Sequence, residues 1–388
     1  MATDNKNKVL NVPNLRFPEF KEVWKDSNIG KCFDLYSGNT PSRMEKEHFI
    51  GDVNWITSGE LKEHYIGDTK ERISDKAAAD NNLRILPVGT FVMAIYGLEA
   101  EGVRGTCSIT VKTSTISQAC MAFTPKSNVS NEFLYSWYKK HGNKIGIRYA
   151  QGTKQQNLSY DIIEKFPIRY PSIEEQEKLN TFISLLDSRI ATQNKIIEDL
   201  KKLKVAIRDK QLNAIRKHYG LNYQICDLLD YEQPTKYVVT DTEYSEDRSK
   251  TPVLTANKAF ILGYTDENFG VYDNGACIIL DDFTLDCKYV DFPFKVKSSA
   301  IKILTVKNSY SLRYVYEYLN YLNLETTEHK RHYISEIEPM MIAYPTDKKK
   351  IDDFNNMMSS LESKIEIENK YLQSLLAQKS YLLSNMFI

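Results

Sequence analysis

Two short polar runs hold the side chains best suited to reading another molecule. One is Arg148-Tyr149-Ala150-Gln151-Gly152-Thr153-Lys154-Gln155-Gln156-Asn157, and the other is Thr326-Thr327-Glu328-His329-Lys330-Arg331-His332-Tyr333. Arg and Lys neutralise phosphates, while Arg, Gln and Asn carry the paired donors and acceptors that match guanine or adenine edges. Arg148 and Lys154 suit phosphate clamping, and Gln151, Gln155 and Asn157 suit base reading. His329, Lys330 and Arg331 are their counterparts in the second run. Thr57 and Ser58, with Thr255, Asn257 and Lys258 at a matching place, complete the DNA-contact candidates together with Tyr149 and Thr153. A solvated loop of ordinary composition is the plain alternative for either run taken alone.

Catalytic constellations are missing from the sequence. It has no G-x-G-x-x-G opening a helix, no G-x-x-x-x-G-K-[ST] loop, no G-x-S-x-G elbow and no H-E-x-x-H. Nor does it hold the amide- or acid-Pro-Pro-aromatic tetrad of a base-flipping DNA methyltransferase. Asp52, Glu60 and Lys62 follow the D…E-x-K order of metal-dependent nucleases, in which two carboxylates hold Mg²⁺. A chain with 26% charged residues produces that order easily by chance. His329-Lys330-Arg331-His332 reads as a basic loop, because two adjacent cations disfavour a bound metal. Neither a metal nor a cofactor is expected on this chain.

The elements that must position these runs come in two copies. Ile168-Arg169-Tyr170-Pro171 returns as Ile342-Ala343-Tyr344-Pro345, and Leu186-Asp187-Ser188-Arg189-Ile190 as Leu361-Glu362-Ser363-Lys364-Ile365. Leu254-Thr255 falls opposite Ile56-Thr57, Gly275 to Ile279 opposite Gly89 to Met93, and Val315-Tyr316 opposite Leu134-Tyr135. The spacing between matches shrinks along the chain, so the second copy has trimmed loops. Such a repeat fixes the architecture before any other feature does. Each polar run then stands at the equivalent place, just ahead of a long helix, which raises both above ordinary surface. Lys288, Lys295, Lys297 and Lys302 add a basic stretch to the second copy.

Short β-rich runs such as Gly89–Tyr96 and Ala119–Phe123, with a helix from Asn131, predict a mixed domain over residues 1–171. A second such domain is predicted over 219–345. Ser172 caps a helix in which Glu175 completes a capping box, and no Gly or Pro follows until Gly220. Pro345 opens the other helix, giving long helices over 172–218 and 346–388. Apolar residues recur in alternating steps of four and three, the pattern of a coiled-coil seam. In the first helix the seam includes Leu186, Ile190, Gln193, Ile197, Leu200 and Lys204; in the second it includes Leu361, Ile365, Glu368, Leu372, Leu375 and Lys379. The fold class is therefore α+β: two tandem recognition-type domains, mainly β with short helices, separated by two long helices in an antiparallel coiled coil. The alternative is two helices packed separately on their own domains. A register that avoids stranding a polar seam residue pairs Lys204 with Glu368 and Gln193 with Lys379.

Bulk properties narrow the class further. Lys+Arg and Asp+Glu are 51 each, so no global charge announces nucleic acid, although local basic patches remain possible. Six cysteines without a C-x-x-C pair read as reduced, packed thiols. The segment Met1 to Val9 is polar rather than apolar, and no run approaches the ~20 apolar residues that span a bilayer. A soluble, cytoplasmic protein is expected.

The chain resembles the specificity subunits of type I restriction–modification systems over essentially its whole length. The resemblance is carried by Val12-Pro13-Asn14-Leu15-Arg16-Phe17-Pro18-Glu19-Phe20, Trp24, Gly38-Asn39-Thr40-Pro41-Ser42, Asn54 to Leu61, Gly152 to Leu158, and Tyr170-Pro171-Ser172-Ile173-Glu174-Glu175-Gln176. The second copy departs from it, with Tyr344-Pro345-Thr346-Asp347-Lys348-Lys349-Lys350 and no Glu-Gln. The resemblance implies two target recognition domains that each read half of a split double-stranded DNA site. It further implies two methyltransferase subunits docked at the helices and two motor–nuclease subunits in the full complex. S-adenosylmethionine, ATP and Mg would belong to those partners. A coiled-coil adaptor that binds only proteins is the competing class.

Overall fold

The computed structural model describes residues 11–99, 102–152, 156–256, 260–326 and 330–388. Two compact units emerge, one of residues 1–193 with 371–388 and one of residues 194–370. The division falls inside the long helices. The reason is that each helix lends its seam to two hydrophobic cores.

In the first unit a five-stranded sheet runs in the order 33–37, 120–125, 91–94, 107–110, 65–66. Beside it, strand 53–56 pairs antiparallel with 72–73 and parallel with 114–116. The helix Asn131–Tyr149 begins at Ser130, whose hydroxyl accepts the Phe133 N–H. It buries Phe133, Leu134, Trp137 and Tyr138 against the sheet side chains Phe91 and Phe123. This helix runs on through Gly142 and Gly146 to Tyr149. A Cβ on Gly142 would stand 2.8 Å from the Gly105 Cα, so the helix accepts glycine to let segment 102–106 lie against it.

The second unit repeats this plan on a smaller scale. Its main sheet has four strands, ordered 229–232, 301–306, 277–281, 287–290. Strand 251–254 again has an antiparallel neighbour, 261–265, and a parallel one, 295–296. Its helix is Leu312–Leu322, 11 residues against 19. The trimmed loops read from the sequence are thus trimmed elements too.

The long helices are Ile173–Tyr219 and Lys348–Met386. At 47 residues the first is about 70 Å long. Gly220 ends it with φ +68°, a conformation that favours glycine. Within the first unit Leu179, Ile183 and Leu186 share a core with Leu375, Leu382, Leu383 and Met386. Within the second, Leu212 and Ile215 share one with Ile351, Phe354 and Met358. In each unit the helices pack in opposite directions, the start of one against the end of the other. All twelve named seam residues are buried or half-buried, including Gln193 and Glu368.

The expected register is not the one observed. Lys204 Nζ forms an ion pair with Glu317 Oε1 at 2.9 Å and also pairs with Glu362. Glu368 instead pairs with Lys364, one turn away on its own helix. In the first unit Lys379 pairs with Asp187 rather than answering Gln193. Glu362 and Asp187 flank the seam rather than occupying it. A lysine stem is long enough to lie along apolar surface while its ammonium leaves the seam, so polar seam residues need not face one another. The repeat survives the correction: Lys204 and Lys379 are 175 residues apart, and so are Asp187 and Glu362.

Candidate nucleic-acid interface

In the first unit the polar run starts on a helix and continues as a pinned loop. Arg148 and Tyr149 form the last turn of Asn131–Tyr149, and the Arg148 guanidinium lies 5.5 Å from the Tyr149 ring centre. The Tyr149 ring packs edge-on against Phe166 at 5.2 Å and remains 40% exposed. Gln151 and Asn157 exchange two backbone hydrogen bonds of 2.9 Å. Asn157 also bridges to Tyr96 at the end of strand 91–94. The Gln151 side chain is exposed, and the Asn157 Oδ1 is buried with no hydrogen-bond partner among the described residues. Thr153, Lys154 and Gln155 lie outside the described residues.

Thr57 and Ser58 have a different character. Thr57 caps the short helical turn Ser58–Glu60; its N–H and hydroxyl both donate to Glu60 Oε2, at 3.0 and 2.7 Å. The other Glu60 oxygen accepts the Lys70 N–H at 2.7 Å. Glu60 is thereby committed to the fold, and Asp52 is fully exposed 3.9 Å from Arg72. This dismantles the D…E-x-K pattern, and no group of potential metal ligands occurs among the described residues. Thr57 supports its loop, and both it and Ser58 are half-buried.

In the second unit Thr255 is buried, and its N–H donates to the Phe260 carbonyl at 3.0 Å. Asn257, Lys258 and His329 lie outside the described residues. Lys330 and Arg331 are both about half exposed. The Lys330 ammonium is 3.0 Å from Glu336, and Arg331 stands 4.0 Å from Asp282 with its guanidinium near the Phe283 ring. His332 is buried, with Nδ1 2.8 Å from Glu336 and Nε2 2.8 Å from the Thr326 hydroxyl. The basic loop is thus anchored at His332 and presents its two cations outward.

Part of the expected basic stretch is interior. Lys295 is wholly buried, 2.6 Å from Glu267 and donating to the Phe269 carbonyl at 2.8 Å. Burial would raise the Glu267 carboxyl, but Lys295, Thr240 and the Asp241 N–H outweigh it and hold it at about 2. Lys302 is buried 3.5 Å from Asp282. Neither lysine can reach a phosphate. Desolvation requires each of them to be paired, and sequence gave no sign of which lysines were inside.

Residues outside the candidate set fasten the first unit to its long helix. Glu175 is buried and bidentate to Arg16, at 2.8 and 2.7 Å, with the Trp24 indole N–H 3.4 Å away. It therefore does not close the capping box expected of it, although Ser172 still accepts its N–H at 3.4 Å. The Gln176 amide donates to the carbonyls of Asn128 and Pro171 and accepts the Ser130 N–H at 2.9 Å. In the second unit the matching Ser311 N–H donates to the Tyr344 hydroxyl at 2.8 Å. The Tyr344 hydroxyl thus takes the place of the Gln176 side-chain oxygen in the second copy. Asn180 to Ser130 and Asn355 to Ser311 form the same bond in both copies.

Residues 21–202 match the family model of the type I restriction modification DNA specificity domain. This stretch, a little under half of the chain, is similar to that family. The specificity subunit of the Escherichia coli enzyme EcoR124I/EcoR124II is 48% identical over 125 residues, 31% of each chain. The MjaIX specificity subunit of Methanocaldococcus jannaschii is 30% identical over 233 residues, 57% of this chain and 53% of that one. The matched stretches thus span about a third and about half of those relatives. Among solved structures, the type I S subunit from M. genitalium superposes with a TM-score of 0.58 at 16% identity, over 97% of this chain and 99% of that one. A chain from a study of assembly and conformational transition in a type I system gives 0.58 at 11% identity, over 94% and 97%. At these identities the superpositions speak for the fold alone.

Proposed function

We propose that the chain is the DNA-recognition subunit of a type I restriction–modification complex and carries no catalytic group of its own. Each unit reads one half of a bipartite double-stranded site, and the long helices set the spacer and dock two methyltransferase subunits. Two motor–nuclease subunits complete the restriction assembly in the cytoplasm. S-adenosylmethionine, ATP and Mg act on those partners. The observation that carries this reading is the duplicated polar run, with Arg148 exposed where the first begins on its helix and Lys330 and Arg331 half exposed in the second. Phosphate contacts fix position and base contacts specify sequence, so each loop needs both kinds of side chain.

The test is binding of duplex libraries at low salt by the chain with its methyltransferase. Recovery of a split motif supports the reading, and binding without sequence preference refutes it. Gln151→Ala should relax one half of the motif, by roughly 1–3 kcal/mol for a lost base contact. Arg148→Ala should instead flatten the salt dependence. Seven residues inserted in an exposed stretch of the first long helix lengthen it by about 10 Å, close to three base-pair steps, and should lengthen the spacer with both halves retained.

A further inference from the structure

In both copies a carboxylate from the segment after the central strand grips the backbone of the polar loop. In the first, Glu99 Oε2 accepts the Gln156 N–H at 2.9 Å. Around it the Leu98 N–H donates to the Gln156 carbonyl at 3.0 Å, and the Leu158 N–H to the Ile95 carbonyl at 2.9 Å. Arg104 braces the same segment by donating to the carbonyls of Leu98 and Glu99 at 2.6 and 3.2 Å. The Gln156 N–H holds the Glu99 carboxyl below the usual carboxylate range.

In the second copy Asp282 does this work. Its Oδ1 accepts the N–H groups of His332 at 3.1 Å and Tyr333 at 2.8 Å, and its carbonyl accepts the His332 N–H at 3.0 Å. Asp282 is buried, with Lys302 at 3.5 Å and Arg331 at 4.0 Å. Strands 91–94 and 277–281 are the matching strands of the two sheets. Glu99 and Asp282 therefore leave the same place in the repeat, yet they are not aligned residues. The same support is reached by different side chains.

We infer that Glu99 and Asp282 are positioning residues for base reading, each fixing the loop backbone that presents one half-site's contacts. The inference rests on the DNA-reading assignment. Its physical basis is a difference in tolerance. A hydrogen bond to a base edge weakens steeply outside about 2.7–3.2 Å, whereas attraction to a phosphate survives a shift of an ångström or more. A loosened loop should therefore lose discrimination before it loses affinity.

The experiment selects sequences from a random duplex library with the full chain in its methyltransferase complex, comparing the wild type with Glu99→Ala, Asp282→Ala and Asp282→Asn. Glu99 is exposed, so its variant keeps the fold and decides the question even where Asp282→Ala does not fold. Glu99→Ala should weaken discrimination about tenfold at one half-site, with the other half and the salt dependence unchanged. Asp282→Ala should do the reverse, and Asp282→Asn, which retains an accepting oxygen, should recover most of the loss. A wild type that selects a split motif while folded variants keep both half-preferences overturns the inference and leaves the reading intact. An equal loss over both halves also overturns it. A wild type that selects no sequence removes the reading and the inference together.

Discussion

Replacing Lys204 with Met tests how the long helices are registered. Its ammonium lies 2.9 Å from Glu317, whose side chain is 1% exposed, and it also pairs with Glu362. Removing it strands a buried carboxylate, which ordinarily costs about 3–5 kcal/mol. Arg313 remains 3.8 Å from Glu317, so about 3 kcal/mol is expected. Glu362 is more exposed, and a Lys204/Glu362 double-mutant cycle should give a coupling of about 1 kcal/mol. Glu368 lies six residues further along, about 9 Å of helix, so the Lys204/Glu368 cycle should stay within about 0.5 kcal/mol of additivity. The assay is urea unfolding followed by far-ultraviolet circular dichroism, with slopes compared so that only midpoints carry the result. A cycle that couples Lys204 to Glu368 and not to Glu362 would refute the register and the reasoning from lysine reach. The equivalent pair in the first unit, Lys379 and Asp187, should couple in the same way.

Further outcomes follow from other buried groups. Arg16→Met leaves Glu175 buried and unpaired and should cost about 3 kcal/mol, read as a lowered urea midpoint; an unchanged midpoint would show that the pair does not hold the helix start. Glu267 is held at about 2 against an ordinary 4.5, so the unfolded chain takes up its proton first as pH falls. Its contribution is present above about 4.5 and is lost on the way to about 2, and Glu267→Gln should flatten stability across that window. Burial pushes the thiols of Cys107, Cys120, Cys277 and Cys287 up to about 12, while Cys226 is only half-buried. A thiol reagent on the native chain should modify Cys226 first, and mass mapping of the labelled site checks this.

Much of the architecture was legible in the sequence because it depends on period and order. The repeated Ile-x-Tyr-Pro marks both helix starts, the absence of Gly and Pro carries the first helix to Gly220, and the four–three stripe names the residues that turn inward. The matches at Thr57 and Thr255 fall where strands 53–56 and 251–254 end. The candidate loops were found by composition and repeat position, yet composition could not tell presenting residues from supporting ones. Thr57, Glu60 and His332 are committed to local bonds, and Glu99 and Asp282 were missed because a single acidic residue after a strand carries no pattern.

Sequence by itself determined the two-copy plan and the faces of the long helices, and it carried the resemblance to type I specificity subunits. The tertiary structure decided who meets whom. Heptad spacing says which side of a helix is buried, since that depends on 3.6 residues per turn, but it leaves the axial offset of the partner open. That offset is set by contacts far apart in sequence, such as Lys204 reaching Glu317 and Glu362. The same holds for the interior lysines: Lys295 and Lys302 are charged letters in a surface-like composition, and only the arrival of Glu267 and Asp282 beside them makes burial tolerable.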